Sequence, residues 1–168
     1  MHYRFDWDPE KEVLNVRKHR VSFRRAATTF RDPNQLTLYD EEHSETEERW
    51  VTVGLDSTGI LRVVVHTFEQ VDEHLCEIRI ISARRAAIKG GRAVSGEKDM
   101  KAGYDSSKGE RGRFYNPDAV FSFPVYLEPD VDNFLSTLAD DRDINIQDLV
   151  NEWLRMNIQM IQSVQQQG

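Results

Sequence analysis

The chain has 168 residues, 39% hydrophobic and 30% charged, with 8 Phe, 5 Tyr and 3 Trp. That is too apolar for a disordered chain, too charged for a membrane-spanning one, and long enough for one ordinary domain or two small ones. A single cysteine, Cys76, excludes an intramolecular disulfide and a cysteine-built zinc site. The acidic, aromatic start MHYRFDWDPEK has no apolar signal core, and runs such as Val63–Val65 are too short to span a bilayer. A soluble, cytoplasmic protein is expected.

The first predicted element is a helix, with Asp8 as N-cap and Pro9 at the first helical position, where the missing N–H costs nothing. Ser22 caps a second short helix over Phe23–Phe30, closed by Asp32-Pro33 because the residue before proline avoids helix. Four strand-like runs follow: Leu36–Tyr39, Arg49–Leu55, Ile60–Phe68 and Leu75–Ser82. The turn residues Asp56-Ser57-Thr58-Gly59 join the second and third runs as a hairpin. Ala83–Lys89 reads as a short basic helix, with Gly90 just past its end.

The stretch KGGRAVSGEKDMKAGYDSSKGERGR then has the Gly, Ser and Lys content of a linker. Charge also changes across it. Residues 1–99 hold 16 Lys+Arg against 18 Asp+Glu, whereas residues 100–168 hold 6 against 11. The predicted organisation is a first domain over 1–95, a connecting segment over 96–118 and a second domain over 119–168, with the break near Gly96–Asp99.

In the second domain, Phe121–Leu127 puts Phe121, Phe123, Val125 and Leu127 on one face, and Ser122, Pro124 and Tyr126 on the other. Pro124 donates no ladder bond, which makes this an edge strand. Val131, Phe134, Leu135 and Leu138 follow helical spacing, and a second helix carries Ile146, Leu149, Val150, Trp153, Leu154, Ile158 and Ile161, with Asn145 as N-cap. One strand and two amphipathic helices of about 45 residues lie at the lower limit for independent folding. The economical cover is a second copy, with two strands pairing antiparallel in a ribbon–helix–helix homodimer that can enter the DNA major groove. Ser122 and Tyr126 would then face base edges, and Asn145 would lie against phosphate. A plain dimerisation module is the other reading, since this half is acidic and its strand lacks the Arg, Asn and Gln of strong base contacts.

Several stretches carry a resemblance to a known pair of families. FDWDPEKEVLNVRKHRVSF, ERWVTVG, VVVHTF and IRIISARRA resemble the BrnT ribonuclease toxins of type II toxin–antitoxin systems. YDSSKGERGRFYNPDA, FSFPVYLEPDV and INIQDLVNEWLRMNI resemble their BrnA antitoxins. The implied fold is α+β: a RelE-like domain with two helices, an antiparallel sheet and a short C-terminal helix, followed by a ribbon–helix–helix dimerisation domain. The implied partners are an RNA substrate for the first half and operator DNA for the second. Covalent joining departs from the pattern, since the families normally make two polypeptides.

Cleaving RNA without a metal requires deprotonation of the 2′-hydroxyl, stabilisation of the phosphorane and protonation of the 5′-oxygen. The candidates are Lys18, Glu48, Arg49, His66, Arg79 and Arg84, expected to converge on one concave sheet face. Each has a plain structural alternative. His66 could be a hydrogen-bonded strand-end histidine, Arg79 could pair with Glu48, Lys18 could serve the helix dipole, and Arg84 could be solvated charge. No cofactor or metal is expected, because the histidines lack ligand spacing. Tyr104, Phe114 and Tyr115 are expected to anchor the connecting segment on the first domain and silence it, unless that stretch is only a tether. The remaining readings are a DNA-binding repressor and a structural dimer without nuclease activity.

Overall fold

The computed structural model describes residues 1–44, 47–89, 92–94 and 108–165, with backbone alone for 87–89 and 92–94. The chain divides into two compact units, Met1–Pro124 and Val125–Gly168.

The first unit is built on a seven-stranded sheet. Its strands are β1 (His2–Asp6), β2 (Leu36–Tyr39), β3 (Arg49–Leu55), β4 (Leu61–Gln70), β5 (Leu75–Arg85), β8 (Glu110–Arg111) and β9 (Val120–Ser122), in the order β8-β2-β3-β4-β5-β1-β9. Strands β6 (Ala87–Lys89) and β7 (Arg92–Val94) form a separate antiparallel pair. Helix α1 (Pro9–His19) starts as the sequence requires, with the Asp8 carboxylate accepting from the amides of Glu10 and Lys11 at 2.9 and 3.2 Å. It ends at Arg20 in the left-handed region, φ 58°. Helix α2 (Phe23–Ala27) is capped by Ser22 and passes into a 3-10 turn, Thr28–Arg31.

These helices cover one face of the sheet. Tyr3, Phe5 and Trp7 from the N-terminus, Val64 from β4, and Cys76, Ile78, Ile80 and Ala83 from β5 pack there against Val21, Phe23, Ala26, Ala27 and Phe30. Asn15 ties α1 to β5: its amide donates to the carbonyls of Val21 and Ala83 at 3.0 and 2.8 Å and accepts from the Ala83 amide at 3.1 Å. The other face carries a smaller cluster of Val51, Val63, Val65 and Ala86, with Ile81 packed against it.

Several sequence expectations are corrected here. A strand, not a helix, opens the chain, because Tyr3 and Phe5 alternate with exposed His2, Arg4 and Asp6. The sheet is mixed rather than antiparallel, since β1 runs parallel to both β5 and β9. Ala83–Lys89 is not helical. Strand β5 continues to Arg85 because β4 is long enough to pair with it, Arg62 lying opposite Arg85, and β6 follows. His66 does not end its strand, which runs on to Gln70. The edge strand expected over Phe121–Leu127 is confined to Val120–Ser122 and pairs with β1 of the same chain, where Phe121 and Phe123 find apolar cover.

A bulge sets the side-chain directions in the middle of the sheet. Val65 pairs with Ser82 but His66 pairs with Ile80, so Ile81 is the extra residue on β5. The parity of β5 changes there: Ile78 and Ile80 face the helices before it, and Ala83 does so after it. The hairpin between β3 and β4 closes on Asp56-Ser57-Thr58-Gly59, with Gly59 at φ 74°.

In the second unit, α3 (Pro129–Asp141) and α4 (Ile146–Gln165) bury Leu135, Ala139 and Leu149, with Leu127, Leu138, Ile146, Val150 and Trp153 packed around them. Asn145 caps α4, its side-chain oxygen accepting from the Gln147 amide at 2.7 Å.

Candidate functional site

On the helix-covered face, strands β2, β3 and β4 present a polar row within the apolar core. Register places Thr37 beside Thr52, and Thr52 beside Val64 with His66 next along β4. The Thr37 and Thr52 hydroxyls lie 2.9 Å apart, and the Thr52 hydroxyl lies 2.9 Å from Nε2 of His66. Nδ1 of His66 lies 3.2 Å from the carbonyl oxygen of Thr67. That carbonyl can only accept, so Nδ1 donates to it, Nε2 accepts from Thr52, and Thr52 accepts from Thr37. His66 is fully buried, and burial lowers its pKa to about 4 against the opposing pull of the Thr67 carbonyl. The imidazole is therefore neutral at ordinary pH.

Two rings pack edge-on against this imidazole, Phe30 at 4.8 Å and Phe114 at 5.2 Å between centroids. Phe30 belongs to the 3-10 turn. Phe114 comes from the stretch between β8 and β9, is 3% exposed, stacks on Phe68 at 4.5 Å and meets Trp50 at 5.7 Å. The neighbouring Arg113 guanidinium lies 4.2 Å above the Trp50 ring. Gly112, at φ 65°, turns the chain into this position, and its amide donates to the Gln35 carbonyl at 2.8 Å. Further along the same face, Phe121 and Phe123 lie over Tyr3, Phe5 and Trp7. The result is an aromatic cluster around His66 that includes three phenylalanines from residues 114–123.

The opposite face carries a separate group. Register sets Arg49 beside Thr67, Thr67 beside Arg79, and Arg79 beside Asp6. Glu47 forms ion pairs with both Arg49, at 3.0 Å, and Arg79. Arg84 lies opposite Val63 and so shares this face. The expected convergence of His66 with Arg49, Arg79 and Arg84 is thus overturned: strand alternation sends the imidazole into the core and the arginines to the other side. Glu48 is exposed, and the carboxylate that meets Arg79 is Glu47. Lys18 lies exposed in the last turn of α1.

The remaining candidates are dispersed. Ser122 is engaged within the first unit by Nε2 of His2, at 2.6 Å, rather than turned toward a free surface. Tyr126 and Asn145 are exposed. Tyr115 is half-buried beside Phe114 in sequence, and Tyr104 lies outside the described residues. Among the described residues, no group of three or more His, Cys, Asp or Glu is placed to hold a metal ion, and no helix is long and apolar enough to cross a membrane.

Sequence reasoning missed the arginines of the helix layer. Arg31 lies 4.5 Å over the Phe121 ring and Arg24 lies 4.7 Å over Phe123. Their signal was available in the sequence. Residues 17–31 hold six Lys+Arg and no Asp or Glu, and all six cations are exposed.

Residues 7–89 match the family model for the ribonuclease toxin BrnT of type II toxin–antitoxin systems, which covers just under half of the chain. Helices α1 and α2 and strands β2 to β6 lie inside the match; β8, β9 and the second unit lie outside it. Among solved structures, the 1.1 Å crystal structure of the Brucella abortus ribonuclease toxin BrnT is similar at 17% identity, with a TM-score of 0.38, over 51% of this chain and 99% of that one. No curated protein matches the chain.

Proposed function

We propose that the chain joins a ribonuclease toxin to the element that silences it. Residues 1–89 carry the nuclease, residues 108–124 close its cleft, and residues 125–168 pair with a second copy. One observation carries this reading: Phe114, from outside the family match, is packed on the imidazole of His66. A neutral histidine is suited to take the 2′-hydroxyl proton once Nε2 exchanges its Thr52 bond for the substrate, and Arg24 and Arg31, on the cationic run 17–31 that also holds Lys18, would meet the phosphate. RNA supplies its own nucleophile, so the reading requires no cofactor. Arg49, Arg79 and Arg84 fall on the wrong face for this step, and Glu48 has no part in it.

Neutralisation would then be steric. Peptide rings occupy the substrate cleft while short strands add to both edges of the sheet, a recognised way of gaining main-chain hydrogen bonds. The second unit supports dimerisation more than DNA binding. Residues 125–168 hold 2 Lys+Arg against 8 Asp+Glu, a balance that opposes the phosphate attraction on which DNA affinity rests. Operator binding by a ribbon–helix–helix dimer would need Tyr126 and Asn145, because Ser122 is already occupied.

The test compares residues 1–95 with the whole chain. The fragment is expected to cleave RNA and arrest growth, and the whole chain to do neither. Phe114→Ala in the whole chain should release part of the activity, and adding His66→Ala should reduce it by about 10²- to 10⁴-fold. A folded fragment without cleavage would overturn the ribonuclease reading.

A further inference from the structure

We propose that Tyr3, Phe5 and Trp7, with Arg24 and Arg31, form a stacking site for single-stranded RNA, and that Phe121 and Phe123 occupy it as substitutes for two unstacked bases. The inference rests on reading residues 1–89 as a ribonuclease and says where its substrate lies.

Each phenylalanine is held as a base would be. The Phe121 ring stacks on Tyr3 at 5.7 Å and 25°, with the Arg31 guanidinium 4.5 Å over it. The Phe123 ring stacks on Phe5 at 5.4 Å and 18°, with the Arg24 guanidinium at 4.7 Å. Phe121 and Phe123 stand 6.3 Å apart at 79°, so they stack on the protein and not on each other. Bases splayed out of a single strand are recognised in this manner, between aromatic faces and guanidinium planes. Guanidinium groups also favour phosphate, and among the described residues neither Arg24 nor Arg31 pairs with a carboxylate.

The surroundings favour nucleic acid over an apolar peptide. Arg24 and Arg31 lie beside the rings and belong to the acid-free run 17–31, whose six cations are all exposed and favour a phosphate backbone. The occupying stretch is tied lightly, with β9 three residues long and both Phe121 within it and Phe123 just past its end half-buried. The backbone bond at its start runs from the Val120 amide to the Met1 carbonyl at 3.1 Å.

The experiment uses the whole chain and a fluorescein-labelled 12-nucleotide single-stranded RNA with 2′-O-methyl riboses, which lacks the nucleophile for cleavage. Binding is followed by fluorescence anisotropy. Phe121→Ala/Phe123→Ala is expected to bind the probe at least tenfold more tightly than the unaltered chain. A duplex of the same sequence should show no such gain, and adding Arg24→Ala/Arg31→Ala should abolish it. Val120→Pro, which removes the tethering N–H and leaves every ring in place, serves if circular dichroism shows the double variant unfolded. No gain, an equal gain for duplex, or a gain that survives loss of both arginines overturns the proposal. Cleavage of unmodified RNA without tighter probe binding overturns the stacking site and spares the nuclease reading. Tighter probe binding without cleavage does the reverse.

Discussion

Asp56 and Arg62 form a buried ion pair at the hairpin end of the sheet, 2.7 Å between Oδ2 and Nε. Burial acts to raise the Asp56 pKa. Hydrogen bonds from the Thr58 hydroxyl, Arg62 and the Ile60 and Thr58 amides outweigh it and hold the group at about 2. Removing only the cation strands a charge out of water, so Arg62→Ala should cost about 3–5 kcal/mol in urea unfolding, and an Asp56→Asn/Arg62→Met double variant markedly less. His66 titrates in a different window. Its folded pKa of about 4 lies below the ordinary histidine value of 6.5, so the unfolded chain binds the proton first. Stability from this group is intact above about pH 6.5 and falls as pH drops toward 4, by up to about 3 kcal/mol. Thermal melts across pH 4–7 should lose that slope in His66→Gln. In Phe114→Ala, the imidazole should titrate closer to the ordinary histidine value, as NMR would show.

At the scale of elements, patterns governed by local periodicity were legible and those set by long-range pairing were not. Leu36–Tyr39 and Arg49–Leu55 are strands at the expected bounds, and Asp8, Ser22 and Asn145 cap the helices as read. Strand β1 was not legible although Tyr3, Phe5 and Trp7 alternate, because so short a run gains its place by pairing with the distant strands β5 and β9. The bulge at Val65/His66 could not be read from one sequence, yet it decides which face Arg84 takes. For the same reason the candidate site was half legible: His66 and Phe114 were singled out, but their meeting depends on register and on a chain separation of 48 residues. Asn15 offers a test of the helix–sheet junction. Asn15→Ala leaves the buried Ala83 N–H and two carbonyls without partners and should destabilise the unit by about 2 kcal/mol or more in denaturant titration.

At the scale of the whole molecule, the second unit carries an apolar helix stripe that its own small core leaves open. On α4, Leu154, Ile158 and Ile161 recur at helical spacing and are each more than half exposed. A helix of this length with an uncovered stripe is a natural seat for a second copy. Light scattering should report a dimer for the unaltered chain and a monomer for Leu154→Glu/Ile161→Glu, while the melting of the first unit stays unchanged. A monomer in both cases would remove the dimer from the reading.

The two outermost strands of the large sheet, β8 and β9, come from one short stretch, residues 110–122. That stretch acts as a strap buckled at both borders of the sheet. Cutting the chain between 95 and 107 would leave the pairings of the strap with β2 and β1 intact, so the two fragments should still co-elute. Under the proposed function, activation by proteolysis would require unbuckling or digesting the strap itself, and cutting the connection ahead of it should not suffice.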